Sequence, residues 1–393
     1  MKRFFNVLAL ALALLMVFAA STMAQTGTPV YSGDDLFSSR DLTQTADLSE
    51  AAAYTVSDGE DIHIAEAGVY VLSGTASDVT VYVEADKDAK VQLVLDGLTV
   101  ANASAPVIYV QSADKVFVTV SGDSSLSVTG AFQADGSVKL DGVIFSKSDM
   151  TLNGSAALTI SSSDNGIVCK DDLKITGGTY VINAKSKAVE ANDSIRIADG
   201  AFTLTAGTDG LHAENSEDDT LGYIYIGGGV FDIQAGDDGI HANSVVQIDG
   251  GSFTIQAKEG IEGTYVQING GTINIQSNDD GINAARKSSA YTPTVEINGG
   301  DITVNMSSGD TDGVDSNGSI IVNGGTIRVN GNSTFDYDGS AQYNGGTIIA
   351  NGQQISYIPN QMMGGGRGGW DTATGATPNG FGGANNGHGR RGK

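Results

Sequence analysis

The chain repeats one short pattern between residues 164 and 346: a Gly-Gly pair, an alternating strand, an acidic residue followed by glycine, and another strand. The acidic residues Asp238, Glu259 and Asp280 follow one another at intervals of 21 residues. A period near 20 residues with short strands and glycine corners is typical of coils that stack on one another. Because stacking places equivalent positions side by side, we expect function in ladders of residues rather than in single residues.

Apolar residues recur at fixed positions in the copies of this pattern. The second strand of each coil presents one row: Tyr180, Phe202, Phe231, Phe253, Ile273, Ile302, Ile327 and Ile348. The third strand, after the acidic corner, presents another: Ile167, Val189, Leu211, Ile240, Ile261, Ile282 and Val314. Alternating strands without helical periodicity predict an all-β, right-handed parallel β-helix, a solenoid with three strands per coil. The aromatic residues of the first row are interpreted as core stacking.

Residues 1–24 have the composition of a secretory signal peptide. Lys2 and Arg3 precede an apolar run, and small residues precede the expected cleavage point before Gln25. No later stretch has the roughly 20 apolar residues that a membrane span needs. We therefore expect a secreted protein, in the medium or at the cell surface, with no membrane span.

The mature chain is expected to form one solenoid with two unpatterned ends. Residues 25–55 are polar and weakly patterned, which predicts a flexible lead-in. Residues 56–360 carry the alternating strands and are expected to be the binding domain. Residues 361–393 are rich in glycine, asparagine and arginine, so they are expected to be a disordered tail.

The charge balance excludes one class of partner. The chain carries 46 acidic and 21 basic residues, a formal charge of −25. Nucleic acid is not an expected partner, because phosphate backbones are bound by cations. The acidic excess fits calcium binding or solubility outside the cell. The single cysteine, Cys169, occupies a position that alanine fills in other coils, so it is interpreted as a small core residue.

Acidic residues are concentrated around the corner before the third strand. The candidate ligands for a metal are Glu190, Asp209, Asp237, Asp238, Glu259, Glu262, Asp279, Asp280, Asp312 and Asp315. Neighbouring coils lie about 4.8 Å apart, and carboxylates this close are unfavourable unless a cation joins them or their pKa values rise. Ca²⁺, which takes six to eight oxygen ligands, is the predicted cofactor. Turn formation by Asp-Gly explains one acid per corner but not the Asp-Asp pairs.

Histidines occupy the same ladder at two positions. His212 and His241 are candidates for contact with substrate. Two alternatives stay open for them: a zinc site, or a stacked polar pair with no ligand.

The outward residues of the first strands form a candidate sugar-binding face. Lys174 and Arg196 suit the carboxylate of an acidic sugar, and Tyr223 and Tyr225 suit stacking on its ring. A solvated face is the alternative. The outward residues of the second strands, which suit an extended polymer better than a small metabolite, include Thr203, Asp232, Thr254, Asn274 and Thr303.

No catalytic residue is assigned from the sequence. It contains no nucleophile elbow, no Ser-His-Asp pattern, no phosphate loop and no zinc-protease helix. Lys187, which interrupts the acidic ladder, is the candidate base for a lyase, but surrounding acids would raise its pKa and oppose that role. Paired carboxylates also leave glycoside hydrolysis open.

Several segments resemble a known family. The segments 68–74, 91–97 and 141–154, followed by Asp-Gly-Ile coils, resemble the clostridial secreted carbohydrate-binding β-helix family. The resemblance extends over roughly residues 55–350 and implies a pectate-lyase-like fold, calcium binding, and binding of cellulose and polygalacturonate without established lyase activity. The corners at 237–239 and 279–281 are similar to the calcium corners of pectate lyases.

Together these patterns predict a secreted, monomeric, calcium-dependent protein that binds cellulose-like or pectin-like polysaccharides. Binding without catalysis is favoured over the first alternative, a calcium-dependent pectate lyase. The second alternative is a cell-surface, adhesin-like solenoid whose partner is a protein.

Overall fold

A computed structural model describes residues 28–33, 36–309 and 311–361. The predicted signal peptide and tail lie outside the described residues, except for residue 361. Within the described ranges the regular secondary structure consists of 36 β-strands and no helix. The all-β prediction is therefore confirmed.

Three parallel strands make up each regular coil, and each strand pairs with its equivalents in the coils before and after. The first strands are β7 (Lys115–Gly122), β10 (Asp149–Gly154), β13 (Asp172–Ile175), β16 (Ser194–Ile197), β19 (Tyr223–Ile226), β22 (Val245–Ile248), β25 (Tyr265–Ile268), β28 (Thr294–Ile297), β31 (Ser319–Val322) and β34 (Ala341–Tyr343). The second strands are β8 (Ser124–Val128), β11 (Ala157–Ser162), β14 (Thr179–Ala184), β17 (Ala201–Ala206), β20 (Val230–Ala235), β23 (Ser252–Ala257), β26 (Thr272–Ser277), β29 (Asp301–Met306), β32 (Thr326–Asn330) and β35 (Thr347–Ala350).

The third strands form a separate sheet of twelve members. They are β2 (Ile62–Ile64), β4 (Val81–Glu84), β6 (Ile108–Ser112), β9 (Gly142–Ser146), β12 (Asn165–Cys169), β15 (Val189–Ala191), β18 (Leu211–Ala213), β21 (Asp238–Ala242), β24 (Glu259–Gly263), β27 (Asp280–Ala284), β30 (Asp312–Ser316) and β33 (Ser333–Tyr337). In the early coils, β1 (Ala52–Thr55), β3 (Gly68–Ser77) and β5 (Lys90–Asn102) pair in parallel with one another. The short β36 (Gln353–Ile355) closes the other end by pairing antiparallel to β35.

The apolar ladders of the sequence fill the interior of the solenoid. Ile255, for example, lies in register between Ile233 and Ile275, and all three are almost fully buried. Phe202, Phe231 and Phe253 stack in parallel with ring centroids 4.6 Å apart at each step. Burying one such side chain stabilises the fold by about 1.5–3 kcal/mol. The predictions of aromatic core stacking and of a buried Cys169 are confirmed.

The repeated glycines serve two different purposes. The second glycine of each Gly-Gly pair turns the chain with a positive φ, as at Gly251 (φ 105°). The glycine after the acidic residue instead lies inside the third strand. At Gly281 an added Cβ would lie 2.4 Å from the carbonyl oxygen of Gly313 and 2.3 Å from Val304. The acidic corner is thus the start of a strand packed tightly against the next coil, and its glycine is required by close approach rather than by turning.

The lead-in differs from the expected flexible segment. Residues 28–33 and 36–44, which we call the strap, run along the outward face of the first strands. Gln267 hydrogen-bonds the backbone of residues 28 and 30, and Gln247 hydrogen-bonds both the amide and the carbonyl of Tyr31. Farther along, Asp41 is the residue of the strap that is fully buried. The segment after it includes β1, so the lead-in is part of the solenoid structure.

Candidate functional site

The acidic residues of the sequence form two adjacent rows along the third-strand sheet. In the first row, at the start of each strand, Asp238 is in register with Glu259, and Asp280 with Asp312. The second row, which points outward three residues later, contains Glu190, His212, His241, Glu262, Asn283, Asp315 and Asp336. The structure therefore brings together most of the predicted metal ligands. These carboxylates differ in which lysine or histidine side chains pair with them.

At the N-terminal end of the rows, two lysine side chains of the protein pair with the carboxylate. Glu190 is paired with Lys170 at 2.8 Å and with Lys187 at 3.4 Å. Burial would raise the pKa of Glu190, but the two lysines hold it below its usual value. The predicted ligand Glu190 and the candidate base Lys187 therefore neutralise each other, away from the crowded carboxylates.

A pocket of about 410 Å³ opens beside this pair. Its lining includes Lys170, Lys187, Glu190 and His212, and an insertion at residues 214–222 contributes several further polar residues. A second insertion, at residues 285–292, contacts the first, because Ser288 donates a hydrogen bond to the carbonyl of Asp219 at 2.6 Å. The two insertions together form a wall beside the third-strand sheet.

In the middle of the rows, histidines and carboxylates alternate. Asp209, Asp237 and Asp238 each bring a carboxylate oxygen within 4.8 Å of the others, and Asp238, His241 and Glu262 do the same with their ligand atoms. His212 and His241 are stacked, with ring centroids 4.7 Å apart. Burial would lower the pKa of His241, but contacts with Asp238 and Glu262 raise it to about 10.

At the C-terminal end of the rows, carboxylates lie close together and fewer cationic side chains of the protein pair with them. Burial, together with neighbouring acids, raises the pKa of Glu259 to about 7, of Asp280 to about 8 and of Asp315 to about 6. Lys258 is half exposed and lies 3.9 Å from Glu259. Among the described residues, no lysine or arginine forms an ion pair with Asp280 or Asp315. This oxygen-rich segment, with Asn283 beside it, has the donor chemistry that a hard cation requires.

Two other predicted ligands, one exposed and one partly buried, share one lysine. Asp237 and Asp279 lie 3.3 Å and 3.4 Å from the ammonium group of Lys258. Glu262, in contrast, is buried and is paired with Lys287 at 3.1 Å as well as with His241 at 2.8 Å. The predicted ligands thus differ widely in their surroundings although they recur at equivalent positions in the repeat.

The structure differs from the expectation of an open sugar-binding face on the first strands. The strap covers it: Lys174 is paired with Asp41 at 3.2 Å, and Tyr31 stacks on Tyr223 with centroids 4.1 Å apart. Tyr225 is 9% exposed, and Arg196 is paired with Asp172. These four predicted substrate contacts therefore bind the chain's own residues, which the weak patterning of the lead-in did not indicate.

The second strands present a long outward face. Within the described ranges, neither the strap nor the two insertions contact this face. Side chains alternate between buried and exposed along each strand from β14 to β26. One in-register row consists of Val181, Thr203, Asp232, Thr254, Asn274, Thr303 and Arg328. The parallel row beside it consists of Asn183, Thr205, Gln234, Gln256, Gln276, Asn305 and Asn330. Both rows are mostly neutral, although the molecule is strongly acidic.

Comparison with known proteins assigns the solenoid to a family. The family model described as carbohydrate-binding domain-containing protein matches residues 58–310 and 258–354. The chain belongs to this carbohydrate-binding family. The matched residues include all three outward faces of the solenoid, so the prediction of a carbohydrate-binding family is confirmed.

Two relatives can be compared with this carbohydrate-binding family member. A carbohydrate-binding domain-containing protein from Acetivibrio thermocellus is 34% identical over 135 residues, which are 33% of this chain and 47% of the relative. The chain thus spans about half the length of that relative. A solved structure of a polysaccharide lyase-like protein from C. thermocellum, a gadolinium derivative, is similar with a TM-score of 0.46 and 24% identity, over 75% of this chain and 100% of that one. Within the described ranges, no helix has the length and apolarity needed to cross a membrane.

Proposed function

We propose that the protein is a secreted, monomeric, calcium-dependent polysaccharide-binding protein, and that its solenoid is a right-handed parallel β-helix. The observation that carries the proposal is the match of a carbohydrate-binding family model to most of the solenoid. The polymers proposed as ligands are cellulose-like glucans and pectin-like polyuronates.

The second-strand face is the proposed surface for a neutral polymer. The strap occupies the first-strand face, and the third-strand face carries the charged rows and the wall of insertions. The second strands offer hydroxyl and amide groups repeated about every 4.8 Å along the solenoid. Such groups both donate and accept hydrogen bonds, as sugar hydroxyls require. A long, open and mostly neutral face suits a polymer without charge better than the acidic rows do.

The far end of the acidic rows is the proposed calcium site. Glu259, Asp280 and Asp315 supply carboxylate oxygens, and Asn283, whose side-chain oxygen is buried without a hydrogen-bond partner, supplies an amide oxygen. Ca²⁺ bound there would offset the mutual repulsion of these groups and would also attract the carboxylates of a polyuronate. Calcium dependence is therefore proposed for acidic polymers and for stability.

Binding without catalysis is preferred to a lyase. A lyase would need a base beside the cation, and Lys187 is the candidate from the sequence. Lys187 lies 3.4 Å from Glu190 and four coils from Asp280, a distance of about 19 Å at 4.8 Å per coil. Incubation with polygalacturonate and Ca²⁺ is expected to yield no unsaturated product by ultraviolet absorbance. Product formation that Lys187→Ala abolishes would establish the lyase instead.

The surface proposal predicts that charge placed on the second-strand face weakens binding. Thr203→Arg combined with Thr254→Arg places two guanidinium groups beside Asp232, which can pair with them, so the fold is expected to persist. Retention on microcrystalline cellulose in depletion assays should fall at least tenfold, because the long side chains hold a flat polymer away from the rows.

A matched control places the same residue type off this face. Thr45→Arg combined with Ser57→Arg changes two exposed positions and should bind as the unmodified protein does. Equal losses in both double variants, or none in the first, would assign binding to another surface. Failure of the unmodified protein to bind cellulose, polygalacturonate or any other glycan would contradict the proposed function itself.

The calcium proposal predicts a stabilisation that specific carboxylates control. At a concentration 100 times its dissociation constant, Ca²⁺ should stabilise the fold by about 2.7 kcal/mol and raise the melting temperature. In Asp280→Asn/Asp315→Asn this shift should vanish. In chelator, the same variant should melt at or above the unmodified protein, because two repelling charges have been removed. A variant that keeps the full calcium shift would contradict the assigned site.

A further inference from the structure

The strap shows how an extended polymer can bind along the outward side of this solenoid. Gln267 donates a hydrogen bond to the carbonyl of Thr28 at 3.0 Å and accepts one from the amide of Val30 at 3.1 Å. On the preceding coil, Gln247 accepts a hydrogen bond from the amide of Tyr31 at 2.7 Å and donates one to its carbonyl at 2.8 Å. Gln247 and Gln267 are in register on β22 and β25. One glutamine per coil therefore binds successive parts of a chain that runs along the solenoid axis.

The second-strand face repeats the same residue type in the same kind of register. Gln234, Gln256 and Gln276 lie side by side on β20, β23 and β26, and all three are exposed. Within the described ranges, their side-chain amides form no hydrogen bond with the protein. These amides can therefore accept hydrogen bonds from a ligand and donate hydrogen bonds to it, as those of Gln247 and Gln267 do with the strap.

Asparagines at a corner of the solenoid show a different use of the same chemical group. The side-chain amide of Asn298 donates a hydrogen bond to that of Asn269 at 2.8 Å, and Asn323 donates to Asn298 at 2.7 Å. Asn344 continues the ladder by donating to Asn323 at 2.8 Å. These amides pair with one another and join the coils, whereas Gln247 and Gln267 bind a second segment of chain. In the described part of the chain, the glutamine row on the second strands does neither.

The row of polar groups continues along the axis but not across it. Beyond the three glutamines it extends in register to Thr205 on one side and to Asn305 and Asn330 on the other. Consecutive coils thus offer a neutral hydrogen-bonding group about every 4.8 Å. Across the face, a single strand offers different outward residues, as β23 does with serine, threonine and glutamine. A polymer of identical units is matched by similar groups at a constant spacing, and these recur only along the axis.

We propose that a linear, extended β-1,4-linked glycan lies along the solenoid axis on this row, with one sugar unit per coil. The inference rests on the proposed role of the second-strand face in binding. A β-1,4-linked chain is nearly straight and advances by one ring over a distance close to the coil spacing, whereas an α-1,4-linked chain coils and leaves the row. Its successive rings are turned over, so neighbouring coils meet different hydroxyl groups. A glutamine amide suits both, because its oxygen accepts and its nitrogen donates.

The test measures the binding of cello-oligosaccharides of increasing length by calorimetry. Along the axis each added unit meets a further coil, so the association constant should rise by at least about tenfold from cellotetraose to cellohexaose, through two further hydrogen bonds. Across the face, a strand such as β23 has six residues. It spans only about 20 Å, or about four sugar units, so the affinity would level off at cellotetraose. Maltohexaose, the α-1,4-linked counterpart, should bind more weakly than cellohexaose.

Two variants test whether the glycan lies on the glutamine row. Gln234→Ala and Gln276→Ala change positions two coils apart, and each should weaken the binding of cellohexaose by about threefold to tenfold, as expected for one lost neutral hydrogen bond. The matched control is Gln342→Ala, since Gln342 is an exposed glutamine on β34, a first strand. This variant should bind as the unmodified protein does. The proposal is overturned if the affinity levels off at cellotetraose, if maltohexaose binds as tightly as cellohexaose, or if all three variants bind equally.

An incorrect orientation can be distinguished from an incorrect function. Cellulose may be retained by the unmodified protein and lost in Thr203→Arg/Thr254→Arg while cellohexaose binds no more tightly than cellotetraose. In that case the face binds glycan, but the chain lies across the coils and only the axial orientation is wrong. If no glycan binds at all, the proposed function is contradicted together with the orientation.

Discussion

The carboxylate of Asp41 ties the strap to the solenoid. It is fully buried and lies 2.6 Å from Lys115 and 3.2 Å from Lys174. It also accepts a hydrogen bond from Thr151 at 2.8 Å. Burial alone would raise the pKa of Asp41, but the hydrogen bonds and the charge of Lys115 hold it well below its usual value. One side chain therefore forms ion pairs with two lysines from different coils.

Asp41→Ala is predicted to release the strap. Removing one partner of a buried ion pair costs about 3–5 kcal/mol, because here two lysines would remain close together without their counter-ion. Arg40 is exposed and packs over the ring of Phe117, and its backbone should become mobile enough for proteolysis when the strap detaches. Trypsin should then cleave after Arg40, which is measured by mass spectrometry of timed digests.

The matched control is Asp47→Ala, since Asp47 is an exposed acid in the following segment. It should resist trypsin as the unmodified protein does. The depressed pKa of Asp41 means that its contribution is fully present above the ordinary pKa of an aspartate. The contribution is lost only as the pH falls through the lower folded value, so the strap should stay protected at pH 5. Rapid cleavage of the unmodified protein at pH 5 would contradict this assignment.

At the scale of elements, strands whose residues recur were predictable from sequence. The row Ile233, Ile255, Ile275 indicates stacked strands because each member meets an identical neighbour. The sequence indicates a turn at each Asp-Gly pair. In the structure Gly281 lies inside a strand, and it is required by the close approach of the next coil rather than by its φ. A repeated glycine therefore indicates a constraint on the backbone. The sequence alone does not show whether that constraint is a positive φ or the close approach of another coil.

The strap was not predictable for a different reason. Its contacts join residues far apart in the chain, such as Val30 and Gln267, which are 237 positions apart, and no periodicity marks them. The same limit applies to the candidate site. The ladder predicted which acids would meet, but the pairing of Glu190 with Lys170, or of His212 with Glu214, depends on side chains that do not recur in other coils. Those non-repeating residues divide the rows into regions with different chemistry.

At the scale of the whole molecule, stability is a sum of similar contacts between neighbouring coils. Residues 298–322 form one complete coil containing β29, β30 and β31. Deleting them joins Ile297 to Asn323, and the sequence Asn323-Gly324-Gly325 then takes the place of Asn298-Gly299-Gly300. Strand β26 would meet β32, and β27 would meet β33, with every apolar residue still facing the interior. The strap and the two insertions lie on other coils.

This deletion is predicted to keep both the fold and the calcium response. The far-UV spectrum and a single cooperative unfolding transition should persist at a somewhat lower melting temperature, because one interface between coils is lost. The calcium shift should persist, because Glu259, Asp280 and Asn283 are retained and Asp336 takes the register position of Asp315. Deleting residues 312–322 alone removes two strands of three, so the chain cannot close its coil and should aggregate. If the full-coil deletion failed to fold as completely as this control, the coils would not be independent units.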